Sequence, residues 1–195
     1  MRPTRSTRLL FFFLAISTMF LTSCSEEECA TCPPPPEPSG WVVQKSPTFE
    51  DLDNLHVFDQ RNAIAVGGSG VVVRTANGGT TWTILATGTF EALKDVYFLD
   101  DDRGWIVGEN GTALASTDGG RIWTPLAVPT TAHLREVVFV SESVGFIGGG
   151  PIGDQTGDPV LLKTVDGGQS WDVQVWAFTI RTMFFADADH GWAGG

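Results

Sequence analysis

Few residues in this chain of 195 are of a kind and spacing that do chemistry. Cys29 and Cys32 form a Cys-x-x-Cys pair, which serves redox exchange inside a βαβ unit and a small local disulfide elsewhere. The polyproline run Pro33 to Pro36 beside them belongs to no such unit, so a disulfide is the expectation. His56, His133 and His190 stand at unrelated positions and make no metal signature. Asp154 and Asp158, in the segment Gly150 to Pro159, offer oxygen ligands of the kind Ca²⁺ takes but lack the EF-hand spacing; they are the one Ca²⁺ candidate, and no cofactor is expected. A glycoside hydrolase is the alternative reading, because Asp100, Asp101 and Asp102 crowd into one turn and a hydrolase needs paired carboxylates, or a Tyr nucleophile with an Arg cluster. The sole tyrosine, Tyr97, alternates with Val96 and Phe98 as a strand residue does. No catalytic residue is assigned.

The dominant pattern is a repeat. Thr75-Ala76-Asn77-Gly78-Gly79-Thr80-Thr81-Trp82, Ser116-Thr117-Asp118-Gly119-Gly120-Arg121-Ile122-Trp123 and Thr164-Val165-Asp166-Gly167-Gly168-Gln169-Ser170-Trp171 share the form [ST]-x-[DN]-G-G-x-x-W. Trp82 and Trp123 are 41 residues apart, and the next interval, 48, contains the Gly150 to Pro159 insertion. A second marker keeps the same period: Gly67, Gly108 and Gly149 close the apolar segments Asn62 to Gly67, Asp102 to Gly108 and Ser143 to Gly149, and Gly195 closes a fourth. Within each period, short β-branched or aromatic runs alternate with Gly-containing turns, which predicts four strands and no helix. Four strands repeating every 40 or so residues predict an all-β propeller of four-stranded blades, about 3.5 of them here. Asn77, Asp118 and Asp166 are expected to accept backbone N–H groups across a tight turn. The paired glycines (Gly78 and Gly79, Gly119 and Gly120, Gly167 and Gly168) supply positive φ there, and Trp82, Trp123 and Trp171 fold back over the hairpin.

These motifs resemble the Asp-box, or bacterial neuraminidase repeat. Together with Gly104-Trp105-Ile106-Val107-Gly108 they resemble the photosystem II assembly and stability factor family and its relatives in non-photosynthetic bacteria, over Trp41 to Gly195. The resemblance implies a scaffold that binds another envelope or membrane protein, and Asp-box residues that are structural. It also implies about seven blades, so the chain is expected to be the N-terminal part of a longer protein. In photosynthetic members a basic, Arg-rich surface is implicated in partner binding; here Arg61, Arg74, Arg103, Arg121, Arg135 and Arg181 are spread over the repeats.

Residues 1–23 read as a lipoprotein signal: Arg2, Arg5 and Arg8, an apolar Leu9 to Leu21, then Leu21-Thr22-Ser23-Cys24. Cys24 is the expected lipid attachment point, residues 24–40 an acidic and Pro-rich tether, and 41–195 the propeller. The destination is the cell envelope, periplasmic or surface-facing, with the membrane reached through the lipid. Removing residues 1–23 takes three Arg and no acid, leaving nine cations against 23 acids, a net charge of -14. That balance excludes nucleic acid as a partner, because phosphate contacts need clustered cations.

Overall fold

A computed structural model describes residues 10–12, 40, 42–151 and 157–195. The chain divides into two units at Ser46/Pro47. In the first, β1 (Leu10–Phe12) pairs antiparallel with β2 (Val42–Gln44). Cys24, Cys29 and Cys32 lie outside the described residues, as does Asp154.

The second unit is an arc of antiparallel sheets, each a meander in chain order. The first blade holds β3 (Leu52–Val57), β4 (Ala63–Gly67), β5 (Val72–Thr75) and β6 (Thr83–Leu85). The second holds β7 (Leu93–Phe98), β8 (Gly104–Gly108), β9 (Ala113–Ser116) and β10 (Thr124–Pro125), and the third β11 (Leu134–Phe139), β12 (Gly145–Gly149), β13 (Val160–Thr164) and β14 (Asp172–Val175). The strands β15 (Thr182–Phe185) and β16 (Gly191–Gly194) pair as the start of a fourth. The fold is a partial β-propeller of four-stranded blades. Successive first strands β3, β7, β11 and β15 stand side by side, which makes each the inner strand of its blade.

The core lies between blades. Ile64, Val66 and Val72 of the first blade pack on Leu93, Val96, Ile106 and Trp123 of the second. On the other face of that second blade, Trp105, Val107 and Ala113 meet Leu134, Phe139, Ile147 and Leu162 of the third. A strand covered on both faces has no solvent side, so β8 and β12 are buried at every residue and show no alternation. Two ring stacks cross the junctions: Trp105 lies on Phe139 at 3.6 Å and 7°, and Phe146 on Phe185 at 3.7 Å and 9°. The Gly that opens each Gly-Trp-type strand makes room for a phenylalanine ring of the strand before it. A Cβ on Gly145 would stand 2.5 Å from the Phe139 ring, and one on Gly104 2.5 Å from that of Phe98.

Candidate functional site

The inner strands run between two mouths of the arc. At the mouth where they end, the Asp-box hairpins join the third and fourth strands of each blade, and Gly78, Gly119 and Gly167 donate their N–H groups to Arg61, Asp102 and Ser143 in the neighbouring turns. In the second copy, Asp118 Oδ1 accepts N–H groups from Arg121 at 2.9 Å and Ile122 at 3.0 Å. Asn77 accepts from Thr81, and Asp166 from Ser170, through the same oxygen. The leading hydroxyl, which the sequence shows only as a preference for Ser or Thr, is the centre of the turn. Ser116 Oγ donates to Asp118 at 2.8 Å and accepts the Gly120 N–H at 2.9 Å, and Thr75 and Thr164 repeat both bonds. The indoles of Trp82 and Trp123 are buried and that of Trp171 half-buried, its Nε1 donating to Gly168. The leading hydroxyl and the Oδ1 of Asn77, Asp118 and Asp166 are thus engaged within their own hairpins.

Tyr97 and the acidic turn beside it are engaged in the same way. The Tyr97 hydroxyl donates to the Phe139 carbonyl at 2.8 Å, across the junction to the third blade, and burial pushes its phenol above the usual range. Asp100 accepts N–H groups from Asp102 and Arg103, and the Arg103 guanidinium bridges it to Glu142 of the third blade. Among the described residues no group of three or more His, Cys, Asp or Glu is placed together to hold a metal ion. Asp158 is exposed.

The opposite mouth is built differently. The pairing of β3 with β4, β7 with β8 and β11 with β12 slips by one residue between Leu52 and Asn54, Leu93 and Asp95, and Leu134 and Glu136. Each slip is a β-bulge, and the extra residues are Asp53, Lys94 and Arg135, spaced by 41. Glycine at the end of each second strand permits the bulge: a Cβ on Gly108 would fall 2.3 Å from the Ala92 carbonyl oxygen, and one on Gly149 2.2 Å from that of His133. The fourth inner strand brings Arg181, whose backbone N–H closes onto Gly194 at 2.8 Å.

A bulge re-aims its side chain, and these four collect at one rim. Lys94 pairs with Asp53 and with Glu109, each at 3.3 Å. Arg135 donates to the Gly150 carbonyl at 3.0 Å, at the root of the insertion, and burial with the adjacent Arg181 charge holds its guanidinium below its usual range. The insertion is tied down again where Thr179 Oγ1 donates to the Pro151 carbonyl. This rim carries Lys94, Arg135 and Arg181 together with Asp53 and Glu109, and the insertion is folded against its two neighbouring guanidiniums. Sequence reasoning missed it, although the 41-residue interval from Asp53 to Lys94 to Arg135 was available to find it.

The photosynthesis system II assembly factor YCF48 family model matches residues 81–176, just under half of the chain and the whole of the second and third blades' Asp-box region. Residues 81–176 are thus similar to the repeat of that family. The chain's fold is that of the structure of YCF48 bound to a D1 peptide, which it matches with a TM-score of 0.58 and 22% identity over 70% of this chain and 44% of that one. YCF48 from Cyanidioschyzon merolae matches with a TM-score of 0.54 and 22% identity over 66% and 41%. The chain therefore spans less than half the length of either structure. No curated protein matches significantly.

Proposed function

We propose that this protein is a propeller-shaped binding module that holds a segment of another envelope protein at its bulged rim, while a lipid on Cys24 keeps it at the membrane. The observation that carries this reading is the adjacency of Arg135 and Arg181, at the mouth where a repeat-breaking insertion is also fixed. Guanidiniums are suited to carboxylates, so the segment that fits is acidic or ends in a free carboxylate. A protein of the same fold solved with a peptide bound supports the same reading. The alternative of a glycoside hydrolase finds less support, since the Tyr97 phenol and the Asp100 carboxylate are both committed to bonds within the fold.

The test is peptide binding by fluorescence anisotropy. A peptide with a free C-terminal carboxylate is expected to bind more tightly than its amidated twin, and Arg135→Ala with Arg181→Ala to weaken it about tenfold, worth about 1.4 kcal/mol. Raised salt is expected to weaken it too, since exposed charges are screened. Equal binding of the two peptides overturns the site. The anchor is tested separately by mass spectrometry of the envelope fraction, where Cys24→Ala is expected to lose the acyl mass.

A further inference from the structure

Stacked rings fill the second-to-third and third-to-fourth blade junctions, but not the first. Trp105 and Phe146, which lie on Phe139 and Phe185, have Ile64 as their counterpart in the first blade, 41 residues before Trp105. Residues directly opposed on antiparallel strands share a face, so His56, Ile64, Arg74 and Thr83 form one row. Ile64 packs on the second blade, which makes this the face that meets it. Beside the row, where the smaller side chain replaces a ring, a cleft of about 250 Å³ lies between the two blades. Phe58, Arg74, Asp101, Asp102, Gly119 and Arg121 line it, at the mouth of the Asp-box hairpins.

Arg74 is the cation that this cleft leaves unmatched. Its Nε is buried and makes no hydrogen bond among the described residues. The same place in the other blades poses no such problem: Ala115 carries no charge, and Lys163 donates to the Ala188 carbonyl at 3.2 Å with its Nζ 5.4 Å from the Phe146 ring centre. Arg121 lines the cleft as well, one of its Nη atoms on the Asp118 carbonyl at 2.6 Å, and burial with the Arg121 charge holds the Arg74 guanidinium below its usual range. The acid that acts on Arg74 is Asp118, whose Oδ1 is already taken by Ser116, Arg121 and Ile122. A buried donor without an acceptor is costly, and an anion in the cleft would offset that cost. Asp101 and Asp102 stand exposed at the same cleft, and their carboxylates accept no hydrogen bond among the described residues.

We infer that this cleft is a binding site for a free α-amino acid, whose carboxylate is held by Arg74 and Arg121 and whose ammonium is held by Asp101 and Asp102. Guanidinium forks match the geometry of a carboxylate, and the two uncommitted acids supply the opposite charge for the ammonium. A phosphate dianion would meet those same two carboxylates and be repelled. A chain terminus of a protein brings one of the two charges; a free amino acid brings both within one small molecule. Size agrees, since about 250 Å³ falls below the roughly 300–1,000 Å³ of pockets for drug-sized ligands. Phe58, packed on Phe98, gives the side chain of the ligand an apolar wall. The site uses neither Arg135 nor Arg181, and it stands apart from the binding proposed for the bulged rim.

The test is an NMR titration of the full chain with L-alanine, following the Arg74 Nε–H and the Gly119 amide. L-alaninamide, N-acetyl-L-alanine and inorganic phosphate are titrated in parallel. L-alanine is expected to shift both signals in a saturable way. The two capped forms, each lacking one charge, are expected to bind at least about tenfold more weakly, as the loss of a charged hydrogen-bond partner implies. Arg74→Ala puts in the first blade the residue that Ala115 supplies in the second, so the blade is expected to fold and L-alanine binding, read at Gly119, to fall about tenfold or more. Arg121→Gln puts in the second Asp-box the residue that Gln169 supplies in the third, and is expected to weaken binding similarly. Unmoved signals at millimolar L-alanine, equal binding of either capped form, tighter binding of phosphate, or full binding by Arg74→Ala overturns the site.

Discussion

Ser116 shows how much one small side chain holds. Its hydroxyl is buried and joins two groups, the Asp118 carboxylate and the Gly120 N–H, that otherwise have no reason to meet. Ser116→Ala leaves a buried N–H without an acceptor, and is expected to cost about 1–3 kcal/mol in denaturant unfolding. Ser116→Thr is expected to be nearly neutral, because Thr75 and Thr164 make the same bonds. Asp118→Asn is likewise expected to be mild, since Asn77 accepts the equivalent N–H at 3.0 Å. The carboxylate and the glycines of this turn were legible in the sequence because they are required locally. The hydroxyl's part was not, since a Ser or Thr before a turn has several partners within reach and only the folded geometry selects one.

At the scale of the element, the Gly-Trp-type strand is explained by the ring that lies on it. Phe139 is held between Trp105 of the preceding blade and the bare backbone of Gly145 in its own. Gly145→Ala drives a methyl into that ring and is expected to destabilise by about 1–3 kcal/mol, as overpacking does. Adding Phe139→Leu is expected to recover part of the loss, measured as a double-mutant cycle, because the smaller side chain vacates the site of the clash. The blade pattern was readable from apolar runs and glycines at a fixed period. The bulges were not: one extra residue in a strand leaves no trace in composition, and the inner strands consequently begin at Leu93 and Leu134, ahead of Asp95 and Glu136 where the apolar runs suggest. Asp95 reads as an ordinary strand-edge acid because its partners, Asn54 and Val137, are about 41 residues away on either side.

For the whole molecule, two sets of carboxylates pull the pH dependence in opposite directions. Asp166, held down to about 2 chiefly by the Ser170 hydroxyl, and Asp59, Asp100, Asp118 and Glu142, held low by turn N–H groups or Arg103, favour the fold above the unfolded range near 4 and lose that contribution as pH falls below it. Asp95 and Glu136 are raised instead, so their contribution is complete below about 4 and is lost as pH rises toward 6 and 7. The first set lies at the surface, exposed or half-buried, and is screened, while Asp95 is buried, so the alkaline loss is the larger. Thermal melting between pH 3 and 8.5 is expected to show a maximum between about pH 4 and 5 and a decline that levels off near pH 7. A plateau from pH 5 to 8 contradicts the assignment.

The flat contact between Trp105 and Phe139 gives the protein an optical gauge of its own. An indole clamped between two sheets emits at short wavelength, and parting the sheets admits water and sends the emission to the red. Because Trp105 sits on the second-to-third junction, a single-tryptophan variant retaining only that indole would report the separation of two neighbouring blades as colour, with no label attached.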